Sequence, residues 1–128
     1  MKDEIYNEFI KAKNKRDLNK MRELYEQNKN DLSIKLEYGK LLARNKYYNE
    51  ALAILGSLIN TGKKTQALMA LGKLEMRFRN YDSAREYFKS ILEIREDTYA
   101  MSELGRLELK LGLEINTTKL SIGVFLQP

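Results

Sequence analysis

Apolar side chains recur along this chain three, four and seven residues apart, and strict alternation is scarce before residue 118. That period belongs to amphipathic helices. The spacing predicts helix pairs. The first pair covers about residues 2–13 (Ile5, Tyr6, Phe9, Ile10) and 17–28 (Leu18, Met21, Leu24, Tyr25). Asn28-Lys29-Asn30-Asp31 is a turn-rich break. The second pair covers about 32–45 and 48–60, and the third about 65–78 and 81–94. Between them Asn60-Thr61-Gly62-Lys63-Lys64 is the clearest loop, with Gly62 placed as a helix C-cap. After the break at Glu96-Asp97-Thr98, a seventh helix is expected over about 98–111, capped by Asp97 or Thr98 and ending at Gly112.

The pattern repeats in kind as well as in period. Gly39, Gly72 and Gly105 stand 33 residues apart, inside Tyr38-Gly39-Lys40-Leu41, Leu71-Gly72-Lys73-Leu74 and Leu104-Gly105-Arg106-Leu107. The second helices align too: Leu18, Met21 and Tyr25 match Tyr48, Ala51 and Leu55, then Tyr81, Ala84 and Phe88. The step is i, i+3, i+7, one helix face. Such a period marks a stacked repeat protein, a class that binds other proteins far more often than it performs chemistry. The units run over about 2–30, 32–61, 65–97 and 98–128, with the first divergent, as suits a terminal unit. The fourth decays: Thr117 and Ser121 occupy the places of Ala84 and Phe88. Its apolar tail, Leu120-Ser121-Ile122-Gly123-Val124-Phe125-Leu126, reads equally as helix or strand. It suggests a truncated chain, a tail docked on the body, or an intermolecular contact through residues 118–128.

Glycine within a helix costs about 1 kcal/mol against alanine. Three such placements need a reason, and close approach of the partner helix supplies it. Ala51 and Ala84 offer the matching small surface. These are packing residues, with no catalytic role.

Composition narrows the chemistry. The chain has 128 residues, 43% hydrophobic and 32% charged, enough for one foldable domain. It has no cysteine and no histidine, which removes disulfides, thiolate metal sites, the commonest general base and the commonest metal ligand. No metal or cofactor is expected. No run approaches the roughly 20 apolar residues that span a bilayer, and Met1-Lys2-Asp3-Glu4 does not read as a signal peptide. A cytoplasmic location follows as the expectation. The net charge of +5 and pI of about 9.3 permit an acidic protein, a nucleic acid or an anionic membrane surface as partner.

These residues resemble tetratricopeptide repeats, helix-turn-helix units of about 34 residues. Leu71-Gly72 and Leu104-Gly105 match the family's Leu-Gly pair, and Tyr38-Gly39 comes near it. Ala51 with Leu55, and Ala84 with Phe88, match the second helix. Tyr47-Tyr48 and Asn80-Tyr81 resemble the turn and the aromatic that opens that helix. The family's Trp position holds Lys35, Leu68 and Met101, its later Tyr position holds Leu42, Glu75 and Glu108, and its closing proline is absent. The resemblance is strongest over residues 32–97. It implies an all-α, right-handed solenoid of antiparallel helix pairs, three and a half to four repeats long, that binds a peptide along a concave face built from the first helices.

On that face the residues one and five after each glycine lie one turn apart. They are Lys40 and Arg44, Lys73 and Arg77, Arg106 and Lys110. All six are basic, in a chain with 23 Lys and Arg among 128 residues. One turn earlier lie Leu36, Met69 and Ser102. Two basic rows beside a partly apolar row suit an extended acidic peptide or a free C-terminal carboxylate. Lys73 and Arg77 resemble the family's carboxylate-clamping pair, without its asparagines. The competing reading is a solvated face, in which Glu37 and Glu103 pair with Lys40 and Arg106 while Ala70 leaves Lys73 uncompensated.

The leading expectation is therefore a non-enzymatic interaction module, with a structural or self-assembling fragment as the alternative. Nucleic acid ranks third, since the aromatics fall at packing positions and not among the basic stripe. An enzyme ranks last. Gly62-Lys63-Lys64-Thr65 lacks the first glycine and preceding strand of a phosphate loop.

Overall fold

The computed structural model describes residues 2–126, with side chains described as far as residue 112. Among the described residues all regular structure is helical: α1 (Asp3–Lys15), α2 (Leu18–Gln27), α3 (Leu32–Arg44), α4 (Tyr48–Gly56), α5 (Lys64–Arg77), α6 (Tyr81–Ile94) and α7 (Thr98–Leu126). Each helix packs on its neighbours in sequence, and α3 packs also on α5. The core lies in two clusters. One runs from Phe9 and Met21 through Ile34, Leu42 and Leu55 to Leu74. The other gathers Leu68, Ala84, Phe88, Ile91, Ala100 and Leu107. Ile59 and Tyr87 pack against both.

Local chemistry sets the helix starts. Asp17 accepts from the Lys20 N–H at 3.0 Å. Asp31 accepts from Ser33 and Ile34 N–H at 2.9 and 3.0 Å. Asp97 accepts from Ala100 N–H at 2.9 Å, so it is Asp97 that caps α7. Each cap satisfies donors that the first helical turn leaves free.

The turns within pairs share one geometry. Asp17 N–H donates to Ala12 C=O, Tyr47 N–H to Leu42 C=O and Asn80 N–H to Glu75 C=O, at 2.9, 3.0 and 2.8 Å. Arg16, Lys46 and Arg79 N–H donate to the carbonyls three residues earlier. This bonding ends a helix through one residue in the left-handed region. That residue is Arg16 (φ 52°), Lys46 (φ 64°) or Arg79 (φ 60°).

Gly39 and Gly72 have the reason expected of them. A Cβ on Gly39 would sit 2.7 Å from Leu55 Cδ2, and one on Gly72 would sit 2.8 Å from Phe88 Cε1 and Cζ. Both Leu55 and Phe88 are fully buried. The helices therefore approach more closely than any side chain at the glycine would permit.

Gly105 departs from the pattern, since a Cβ there would meet nothing within 4 Å. The cause is α7. It does not end at Gly112 but continues to Leu126, so no second helix returns over Gly105. Thr117 and Ser121 stand at the places corresponding to Ala84 and Phe88, so a returning helix would set polar residues, not an alanine and a large apolar side chain, over Gly105. Met101 and Leu109, on either side of Gly105, are exposed.

Two further expectations are corrected. α4 ends at Gly56, four residues before the expected limit, because Ser57 Oγ bonds Ile54 C=O at 2.6 Å and the backbone tightens into three-residue bonds at Leu58 and Ile59. Leu58 nonetheless stays in the core. Gly62 lies six residues beyond that helix end, and no described glycine has positive φ, so it is not a C-cap.

Candidate functional site

The packing of α3 on α5 leaves a cleft of about 260 Å3 between them. Ala43, Met69, Ala70 and Leu74 give it apolar walls, and Thr65 and Gln66 add polar groups. Lys40 and Arg44 come from α3, Lys73 and Arg77 from α5, and Arg95 from the residue after α6. No carboxylate lines it. The i, i+4 spacing places each helix's two cations one turn apart on the same face.

The five cations are held differently. Lys40 Nζ lies 3.4 Å from Glu37 Oε1, and Lys13 Nζ approaches the same oxygen at 4.0 Å. Arg95 Nη2 pairs with Asp97 Oδ2 at 3.0 Å. Lys73 Nζ sits 4.7 Å from the centroid of the Tyr99 ring, a cation–π contact that places the charge without neutralising it. Burial, then Glu103, raises the Tyr99 hydroxyl above its ordinary 10.0, so the ring stays neutral at physiological pH. Among the described residues Arg44, Lys73 and Arg77 enter no ion pair. Uncompensated cations in a partly apolar cleft concentrate positive potential there.

Five of the nine residues expected in a groove thus line one cleft: Lys40, Arg44, Met69, Lys73 and Arg77. Leu36 does not. It is 6% exposed and belongs to the core. Ser102, Arg106 and Lys110 lie on α7 and do not line the cleft. Arg106 Nη1 pairs with Glu103 Oε1 at 3.2 Å, the pairing expected along the helix, though Glu103 itself is buried. Lys110 Nζ donates to Tyr81 Oη at 2.8 Å and sits 4.3 Å from that ring. Both expected ion pairs form, Lys40 with Glu37 and Arg106 with Glu103, and of the expected groove residues only those on α3 and α5 line the cleft. The expected association through residues 118–128 lies outside the residues whose side chains are described.

A second hollow, of about 690 Å3, opens beside the first and shares Arg44 and Arg77 with it. Arg16, Lys46, Asn45 and Leu41 complete it. Sequence reasoning missed Arg95, Arg16 and Lys46. The signal for Lys46 was present: it stands seven residues after Gly39, as Arg79 does after Gly72.

One buried acid lies elsewhere. Glu75 is buried and its Oε1 has no hydrogen-bond partner among the described residues. The neighbouring Glu75 carboxylate, then burial, pushes the Tyr48 hydroxyl above its ordinary 10.0. Burial, then Glu75, does the same to Tyr87.

No known protein family, curated protein or solved structure matches this chain. Among the described residues, no group of three or more metal-ligating side chains comes together, and no helix is long and apolar enough to cross a membrane.

Proposed function

We propose that this chain is a non-catalytic interaction module, a right-handed solenoid of the tetratricopeptide kind, that holds an acidic peptide segment in the cleft between α3 and α5. The observation that carries this reading is the cleft itself. Lys40, Arg44, Lys73, Arg77 and Arg95 surround apolar walls with no carboxylate among them. Apolar walls accept one side chain of an extended peptide, and the cations accept its carboxylates or its C-terminus by charge-assisted bonds. The 33-residue glycine spacing supports the repeat reading, as do the closeness of Gly39 to Leu55 and Gly72 to Phe88 and the recurrent turn geometry. A cytoplasmic site of action accords with a chain lacking cysteine.

The test is anisotropy of a labelled peptide ending in several acidic residues. Combined Lys73→Glu and Arg77→Glu should weaken binding at least tenfold, since hydrogen bonds to charged groups contribute about 1.5–3 kcal/mol each. Affinity should fall with added salt. Amidating the peptide's C-terminus separates capture of a terminal carboxylate from capture of acidic side chains. Unchanged affinity in the reversed-charge variant would refute the cleft as the site.

A further inference from the structure

α7 leaves bare a face that the fold covers on α5. There Leu68 and Met76 stand four residues either side of Gly72. Phe88 of α6 lies over the glycine, Leu68 is buried with Phe88 and Ala84, and Met76 packs against the same cluster. The equivalent residues on α7, 33 positions later, are Met101, Gly105 and Leu109. Met101 is 58% exposed where Leu68 is 4% exposed, and Leu109 is 65% exposed. Gly72 is buried and Gly105 is exposed. α7 runs unbroken from Thr98 to Leu126, so it does not fold back over its own face.

The shape of the face sets what fits it. Met101 and Leu109 belong to one i±4 ridge, and Gly105 is the gap in its middle. Such a gap receives a side chain from a helix packed across the ridge. The chain holds two examples of a helix that does this. Over Gly39 it is α4, with Leu55 at the gap and Ala51 one turn earlier. Over Gly72 it is α6, with Phe88 at the gap and Ala84 one turn earlier. In each, the small residue lets the helices close and the large one fills the space between them. Apolar side chains left exposed together on one face mark a surface for a partner.

We propose that the face of α7 formed by Met101, Gly105 and Leu109 binds an amphipathic helix of a partner protein, one that carries alanine and, four residues later, leucine or phenylalanine. That helix takes the place over α7 that α4 takes over α3 and α6 over α5. None of the three residues lines the cleft between α3 and α5, so this face is separate from the proposed peptide site.

The test uses the full chain and a fluorescein-labelled peptide of residues 80–95, blocked at both ends and followed by anisotropy. Its sequence is that of α6, the helix the fold sets over Gly72. Three acids (Asp82, Glu86, Glu93) balance three bases (Arg85, Lys89, Arg95), so its net charge gives the basic cleft no hold on it. So short a helix is marginal alone, and ordering on binding sets an expected dissociation constant of about 10–100 μM. Gly105→Leu fills the gap and should weaken binding at least about tenfold. The added Cβ meets nothing in the free chain, so circular dichroism should show the fold kept. A peptide with Phe88→Ala should lose as much affinity. Combined Lys73→Glu and Arg77→Glu should leave this binding unchanged, so the acidic-peptide reading can fail without this one. The proposal is overturned if the peptide shows no saturation below about 1 mM, or if Gly105→Leu binds it as tightly. It is overturned also if sedimentation finds the chain alone to be a dimer that Gly105→Leu dissociates, since a second copy would then occupy the face.

Discussion

Alanine at Gly72 and alanine at Gly105 should move stability in opposite directions. Both glycines lie inside helices, so each substitution gains about 1 kcal/mol of helix propensity. At Gly105 nothing opposes the gain, because the added Cβ meets no atom within 4 Å. At Gly72 it would lie 2.8 Å from two ring carbons of Phe88 and 3.2 Å from a third. Carbon atoms prefer roughly 3.5–4.0 Å, so ring or helix must retreat by about 0.7–1 Å. Phe88 is fully buried and its ring is rigid, so the displacement passes into the helices. Overpacking of this kind costs about 1–3 kcal/mol. Propensity cancels between the two variants, so their difference isolates the clash. With a urea slope of roughly 2 kcal/mol per molar, the unfolding midpoints should separate by about 0.5–1.5 M. Circular dichroism at 222 nm measures both. Gly39→Ala should also fall below Gly105→Ala, since its Cβ would lie 2.7 and 2.9 Å from Leu55 Cδ2 and Cγ and 3.1 Å from Ile54 Cγ2, and Leu55 is fully buried. Equal midpoints for Gly72→Ala and Gly105→Ala would refute the claim that close helix approach explains the glycine.

Lys46→Gly and Arg79→Gly should each raise stability by about 0.5–1 kcal/mol, because their φ values of 64° and 60° suit glycine; a lowered urea midpoint would contradict this. Asp31→Ala removes the acceptor of two N–H donors at the start of α3 and should cost about 1 kcal/mol by the same assay. Tyr48, Tyr87 and Tyr99 all have hydroxyls raised above 10.0 in the folded chain. The fold thus favours their neutral form, and that stabilisation is present below pH 10 and lost as pH rises through the folded values. Phenolate absorbance at 295 nm should therefore develop at lower pH in urea-unfolded than in folded protein; coincident curves would contradict it.

The fold was legible where packing and sequence share a period. Gly39 and Gly72 announced the close approaches, and the apolar face Tyr48, Ala51, Leu55 and its copy Tyr81, Ala84, Phe88 announced what approaches them. The extent of α7 was not legible, because glycine permits a turn without compelling one. Whether Gly112 bends the chain depends on what a returning helix would bury, a tertiary quantity. Ser57 shortened α4 through a side-chain bond to Ile54 C=O that no apolar pattern encodes. At the site, spacing from the glycines located Lys40, Arg44, Lys73 and Arg77, since one helical turn is a local property. It failed for Leu36, which faces inward, and for α7, where Lys110 is occupied by Tyr81. Arg16 and Arg95 reach their hollows from outside those helices, so only the packed structure brings them in.

The turn positions invert the ordinary use of glycine. Seven residues after Gly39 and Gly72 the chain turns at Lys46 and Arg79, residues that resist the left-handed backbone. Seven residues after Gly105 stands Gly112, which would accept it freely, and there the helix continues. Gly112 could therefore take a turn without strain, and what the chain after it lacks is a face like those of α4 and α6. An engineer lengthening this array would leave Gly112 alone and rewrite Thr117 and Ser121 as alanine and leucine. The returning helix would then have something to set down over Gly105.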